Sequence, residues 1–107
     1  MTPIPTILRK AADLIEPEGR FTQGALSRTT RGAAIGPRER GAVCWCAWGA
    51  IHHETQTDVE AGKAYAVFAA YADGVFGLCV PEFNDTRTQA EVVAALRYAA
   101  DQAEARP

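Results

Sequence analysis

The fold turns on Ala42-Val43-Cys44-Trp45-Cys46-Ala47-Trp48-Gly49-Ala50-Ile51-His52-His53. By β-propensity alone, Val43 to Trp48 reads as a strand. The continuation to His53 lacks strict alternation. Val43, Ala47, Ala50 and Ile51 make one helical stripe, and Cys46, Ala50 and His53 another. The balance predicts a buried helix over 42–53. Gly49 costs such a helix about 1 kcal/mol against Ala, which predicts close approach of a second helix there.

Working outward, the flanks read as helices with an irregular stretch between. Ile7, Leu8, Ala11, Leu14 and Ile15 form one apolar stripe, with Pro3 and Pro5 before it and Pro17 and Gly19 after it. Phe21, Ala25 and Leu26 read as a short helical turn. Thr57-Asp58-Val59-Glu60 matches a capping box, and Asp73-Gly74 reads as the end of that helix. Val75 to Val80, before Pro81, reads as a brief extended segment or one more helical turn. Thr86-Arg87-Thr88-Gln89 reads as a second capping box. The helix after it starts at Arg87 or Thr88, and the tail Glu104 to Pro107 frays. The reading is all-α: a small single-domain bundle of about four helices, over 6–16, 42–53, 58–72 and 87–103. An irregular Gly/Arg-rich region covers 17–41.

The chain has 107 residues, enough for one modest core, and its 21 alanines make many apolar positions small. No run approaches the roughly 20 apolar residues of a membrane helix, so no membrane is expected. The start, Met1-Thr2-Pro3-Ile4-Pro5, lacks the pattern of a signal peptide. Cys44, Cys46 and Cys79 are an odd number, and two of them stand two apart, so reduced thiols in a cytoplasmic protein are expected. The net charge of −2 argues against nucleic-acid binding over a whole face. Charge is nevertheless segregated. Arg20 to Gly41 sets five arginines against Glu39, a net +4. Ala42 to Thr86 sets Lys63 against six acids, a net −5.

Trp45-Cys46-Ala47-Trp48-Gly49-Ala50 resembles a Trp-Cys-x-x-Gly-Ala motif. Asn84-Asp85 with Thr88-Gln89-Ala90-Glu91-Val92 resembles an Asn-Asp and Thr-Gln-x-x-Val motif, and Phe21, Gln23 and Gly24-Ala25-Leu26 an earlier element. Taken in order over Ile7 to Ala100, they resemble a family of small uncharacterised proteins of actinobacteria, other bacteria and their phages. The connection after Ala50 is shorter than in that pattern, and the Asp85-Thr86-Arg87 turn is terse. The resemblance implies no activity; it implies a phage or accessory-gene origin.

Cys46 is the candidate nucleophile, with His52 or His53 as base and Asn84 or Asp85 as orienter. Along one helix from Cys44, however, Cys46 and His53 lie about 10 Å apart. That exceeds the roughly 3 Å a proton transfer needs. A buried, unreactive Cys46 is therefore expected. Cys44, Cys46, His52, His53 and Cys79 are the alternative zinc ligands, but the paired Cys-x-x-Cys spacing is absent. Neither metal nor cofactor is expected. Asn84-Asp85 reads as the cap of the last helix, or with Arg87 as a polar recognition corner. Arg28, Arg31, Arg38 and Arg40 are candidate contacts for an acidic protein partner. The resulting reading is a non-enzymatic accessory or regulatory protein acting by protein–protein binding. A weak homodimer is expected, with Trp48, Phe76 or Tyr98 as anchors. The alternatives are a small Cys-dependent hydrolase or transferase using Cys46 with His53, Asn84 and Asp85, and, more weakly, a nucleic-acid-binding accessory protein.

Overall fold

The structure is a computed structural model that describes residues 2–105. Helix α1, Ile4–Ile15, carries Pro5 in its first turn and buries Ile7, Leu8, Ala11, Ala12 and Ile15. Its C-terminal carbonyls would lack partners. Gln89 supplies them, its Nε2 donating to the carbonyls of Ile15, Glu16 and Pro17 at 2.6, 3.2 and 2.9 Å.

The decisive stretch divides. Strand β1, Ser27–Arg28, pairs antiparallel with β2, Cys44–Trp45; Ser27 faces Trp45 and Arg28 faces Cys44. Only Ala47–His53 is helical, as α2, with Cys46 its extended N-cap. The expected helix over 42–53 is therefore too long at its start. Its first residues find distant backbone partners instead of helical ones. Val43 N–H donates to the Arg28 carbonyl at 3.0 Å, Trp45 N–H to Arg20 at 2.9 Å, and Cys46 N–H to Leu26 at 3.0 Å. Nor do Phe21 to Leu26 form a helical turn, because Phe21 bridges to Trp45 in an extended conformation. Gly49 does mark a close approach, but of a loop. A Cβ there would overlap the Leu26 carbonyl oxygen and lie 2.7 Å from its carbon.

Helix α3, Asp58–Phe76, opens on the expected cap: Glu60 N–H donates to Thr57 Oγ1 at 3.1 Å. It runs past Asp73-Gly74 and stops at Gly77, which turns left-handed at φ 69°. Helix α4, Val80–Thr86, is the helix that the four-helix expectation lacked, with Pro81 in its first turn. Helix α5, Gln89–Ala105, starts one or two residues later than the expected Arg87 or Thr88. Its capping box is Thr88 with Glu91, each side chain accepting from the other's N–H at 3.2 and 3.0 Å. Thr86 Oγ1 instead donates back into α4, to the Glu82 carbonyl. The helix continues through Glu104 and Ala105, where fraying was expected; positions 106 and 107 lie outside the described residues.

The described residues form a compact, mostly helical single-domain bundle of five helices, with a Cα radius of gyration of 12.6 Å. Helix α1 lies chiefly along α5 and also touches α2 and α3. Phe68 and Phe83 meet edge to face at 6.2 Å in the core, among Ile7, Leu8, Ile51 and Leu96. Among the described residues, no single helix is long and apolar enough to cross a membrane.

Candidate functional site

The motif residues converge at the start of α2. Asn84, on α4, is 2% exposed. Its Oδ1 accepts the Ala47 N–H at 2.9 Å, and its Nδ2 donates to the Thr22 carbonyl at 3.3 Å and to Asp85 Oδ1 at 3.1 Å. The same Asp85 oxygen accepts the Gly24 N–H at 3.1 Å. Gln23 Nε2 completes the junction by donating to the carbonyls of Asn84 and Arg87 at 2.9 and 3.1 Å. Asn84 is thus a cap, as its type implies, but for α2 rather than for the last helix. Its partner lies 37 residues away in sequence. Cys46 adds a second cap, its Sγ accepting the Gly49 N–H at 3.3 Å.

These contacts frame a cleft of about 290 Å³. Gly24 to Leu26 contribute from the loop, Cys46 and Trp48 from the start of α2, and Val80, Pro81, Asn84 and Asp85 from α4. Gly49 makes the arrangement possible by letting the Leu26 backbone rest on α2. Of these groups, Val80 and Pro81 carried no flag in the sequence. Their signal is a Pro in a first helical turn three residues ahead of Asn84.

The thiol and imidazole groups go to different neighbours. Cys46 is 8% exposed. Burial pushes its thiol up, the Gly49 and Trp48 N–H groups pull it partly back, and the Asp85 charge pushes it up again. His52 packs edge-on to Trp48, ring centres 4.2 Å apart, with Nδ1 3.7 Å from Asp58. Burial, then the Arg38 charge, push its pKa down. His53 lies 4.9 Å from the Trp45 ring and places Nδ1 3.0 Å from Glu54. Among the described residues, no hydrogen bond joins Cys46 to either histidine, and no three His, Cys, Asp or Glu side chains come together to hold a metal. Cys44 is half-buried and Cys79 exposed.

The arginines divide by partner. Arg28 donates to Thr22 Oγ1 and to the Gly32 and Gln23 carbonyls, at 3.1, 3.0 and 3.1 Å. Arg38 Nε donates to the carbonyls of His52 and Thr55, at 2.8 and 2.9 Å, closing the C-terminus of α2, and its Nη1 reaches Asp58 at 3.2 Å. Arg87 lies over the rings of Phe76 and Phe83, 5.2 and 5.8 Å from their centres. Arg31 and Arg40 are exposed.

Fold and site together define a small helical protein whose loop-to-helix junction carries a shallow cleft with an acidic rim. The chain belongs to DUF6197, a family of unknown function, which it matches over residues 1–102. No curated protein and no solved structure matches it.

Proposed function

We propose that this protein acts by binding another protein, in an accessory or regulatory role, and that the cleft at the start of α2 receives the partner. One observation carries the reading. Asn84 uses two side-chain hydrogen bonds to tie α4 to Ala47 and to Thr22, and a third to orient its neighbour Asp85, in one fixed arrangement around that cleft. Preorganisation of this kind lowers the cost of ordering a binding surface. Leu26, 38% exposed, offers that surface an apolar contact. A phage or accessory-gene setting is the background against which such a partner would be sought.

The test compares proteins retained by the natural chain with those retained by Leu26→Glu and by Val59→Asp. Val59 is 67% exposed on α3 and lies outside the cleft lining. A partner kept by the natural chain and Val59→Asp, but lost by Leu26→Glu, supports the reading. Identical sets of retained proteins for all three would overturn it.

A further inference from the structure

We propose that the cleft takes an extended protein segment in which an apolar side chain is followed by lysine or arginine. This rests on the binding reading above and adds the chemistry of the partner. A volume of about 290 Å³ lies at the lower end of what small-molecule sites need, and suits one side chain better than a whole cofactor. Leu26, Trp48, Val80 and Pro81 give that side chain apolar walls. Asp85 is the one charged group in the lining. Its Oδ1 is held by the Gly24 N–H and by Asn84, which fixes the carboxylate. Among the described residues its other oxygen has no partner and is open to a cation. Glu82 stands three residues earlier on α4, also exposed, and adds charge of the same sign.

The nearby cations are already committed. The Arg28 guanidinium comes within 3.4 Å of where a Gly24 Cβ would sit, but its N–H groups go to Thr22, Gln23 and Gly32. Arg87 sits on Phe76 and Phe83. The backbone points the same way. Among the described residues the N–H groups of Ala25 and Leu26 have no backbone acceptor, so a carbonyl of a bound segment can accept from one of them.

The test is an NMR titration of the full, isotope-labelled chain with two capped peptides, acetyl-Gly-Leu-Lys-Gly-amide and its Glu counterpart. The expected result is shifts at Gly24, Leu26, Cys46 and Asp85 with the lysine peptide, at a Kd of about 1 mM. The glutamate peptide should bind about three- to fivefold more weakly, the scale of one exposed ion pair. Asp85→Asn, which keeps the acceptor for Gly24, should abolish the difference. The peptide comparison needs no variant, so it stands even if Asp85→Asn folds poorly. Equal affinities, or no shifts from either peptide, would overturn the proposal. Shifts of the same amides on raising protein concentration alone would also overturn it, in favour of a second copy as occupant. If Leu26→Glu still loses its partner while the peptides show no charge preference, the binding reading survives and only this chemistry fails.

Discussion

Asn84 engages both polar atoms of its side chain inside the protein. Asn84→Ala would leave the Ala47 N–H and the Thr22 carbonyl without their partner in a buried junction. At about 1–3 kcal/mol for each buried group left unpaired, we expect a loss of about 2–4 kcal/mol, read from the urea midpoint. An unchanged midpoint would remove Asn84 as the organiser of the junction. Gly49 sets two effects against each other. Alanine gains about 1 kcal/mol of helix propensity, but its Cβ meets the Leu26 backbone, which no rotamer change can move aside. Overpacking of this kind costs about 1–3 kcal/mol, so Gly49→Ala should destabilise, and a stabilised variant would contradict the close approach. The thiols should react in order of exposure: Cys79 first, Cys44 next, and Cys46 only as the protein unfolds. Mass spectrometry after brief labelling of native protein reads that order, and early modification of Cys46 would contradict its burial. Cys46, expected inside a helix over 42–53, is instead the cap of a shorter one. That Gly49 marks a contact and that Asn84 caps were readable from residue type. Which backbone each one meets was not, because the partners Leu26 and Ala47 are distant in sequence from Gly49 and Asn84.

Helix α2 has seven residues, too few to persist alone in water. Other segments hold both its ends, Cys46 and Asn84 at the start and Arg38 at the finish. This explains where sequence patterning worked and where it stopped. Helix α1 carries a long apolar stripe and α3 a local cap, so both were legible. The boundary between β2 and α2 depends on pairing with Ser27 and Arg28, which no local window contains. Helix α4 was hidden because Pro81 reads as a break, whereas in a first turn it starts a helix. The cap of α5 was placed two residues early because Thr86 and Thr88 look alike and only the second faces an N–H free to donate. At this scale pH supplies a test. His52, in the last turn of α2, has a pKa pushed down by burial and by Arg38. The unfolded chain therefore binds the proton more readily than the folded one. Stability from this group is complete above the ordinary value of about 6.5 and is lost as pH falls from there through the lower folded pKa. Glu16, Glu91 and Glu104 are shifted down from 4.5, so their losses come at more acid pH. We expect stability to fall as pH drops below about 6.5, and His52→Gln to flatten that fall. Parallel profiles for the two proteins would reject His52 as its source.

For the molecule as a whole, the charge segregation visible along the chain is consumed within the fold only in part, Arg38–Asp58 being the ion pair that joins the two segments among the described residues. Arg28 and Arg38 close loops and a helix end, and Arg9 and Arg97 clamp α1 to α5 through Asp101, Glu104, Asp13 and Glu16 at 2.8–2.9 Å. Of the other arginines in the arginine-rich segment, Arg20, Arg31 and Arg40 are exposed; Arg20 reaches the Val43 carbonyl at 3.4 Å, which leaves Arg31 and Arg40 as the two without a side-chain partner among the described residues. Exposed ion pairs contribute about 0–1 kcal/mol each, whereas a micromolar dimer needs about 8 kcal/mol. Two arginines on a second copy's acidic face therefore fall well short, and any self-association must lean on apolar contacts. Val59, Tyr98 and Val75, 67%, 59% and 53% exposed, are the most exposed large apolar side chains among the described residues. We expect light scattering to give the single-chain mass at about 10 μM protein, rising at several hundred μM in about 50 mM salt and returning to the single-chain value in about 500 mM, where the Debye length is only a few ångströms. Arg31→Glu combined with Arg40→Glu should remove the low-salt rise, and Tyr98→Asp should weaken it. A single-chain mass throughout, at both salt concentrations, would dispose of self-association and leave a foreign partner to account for the exposed surface.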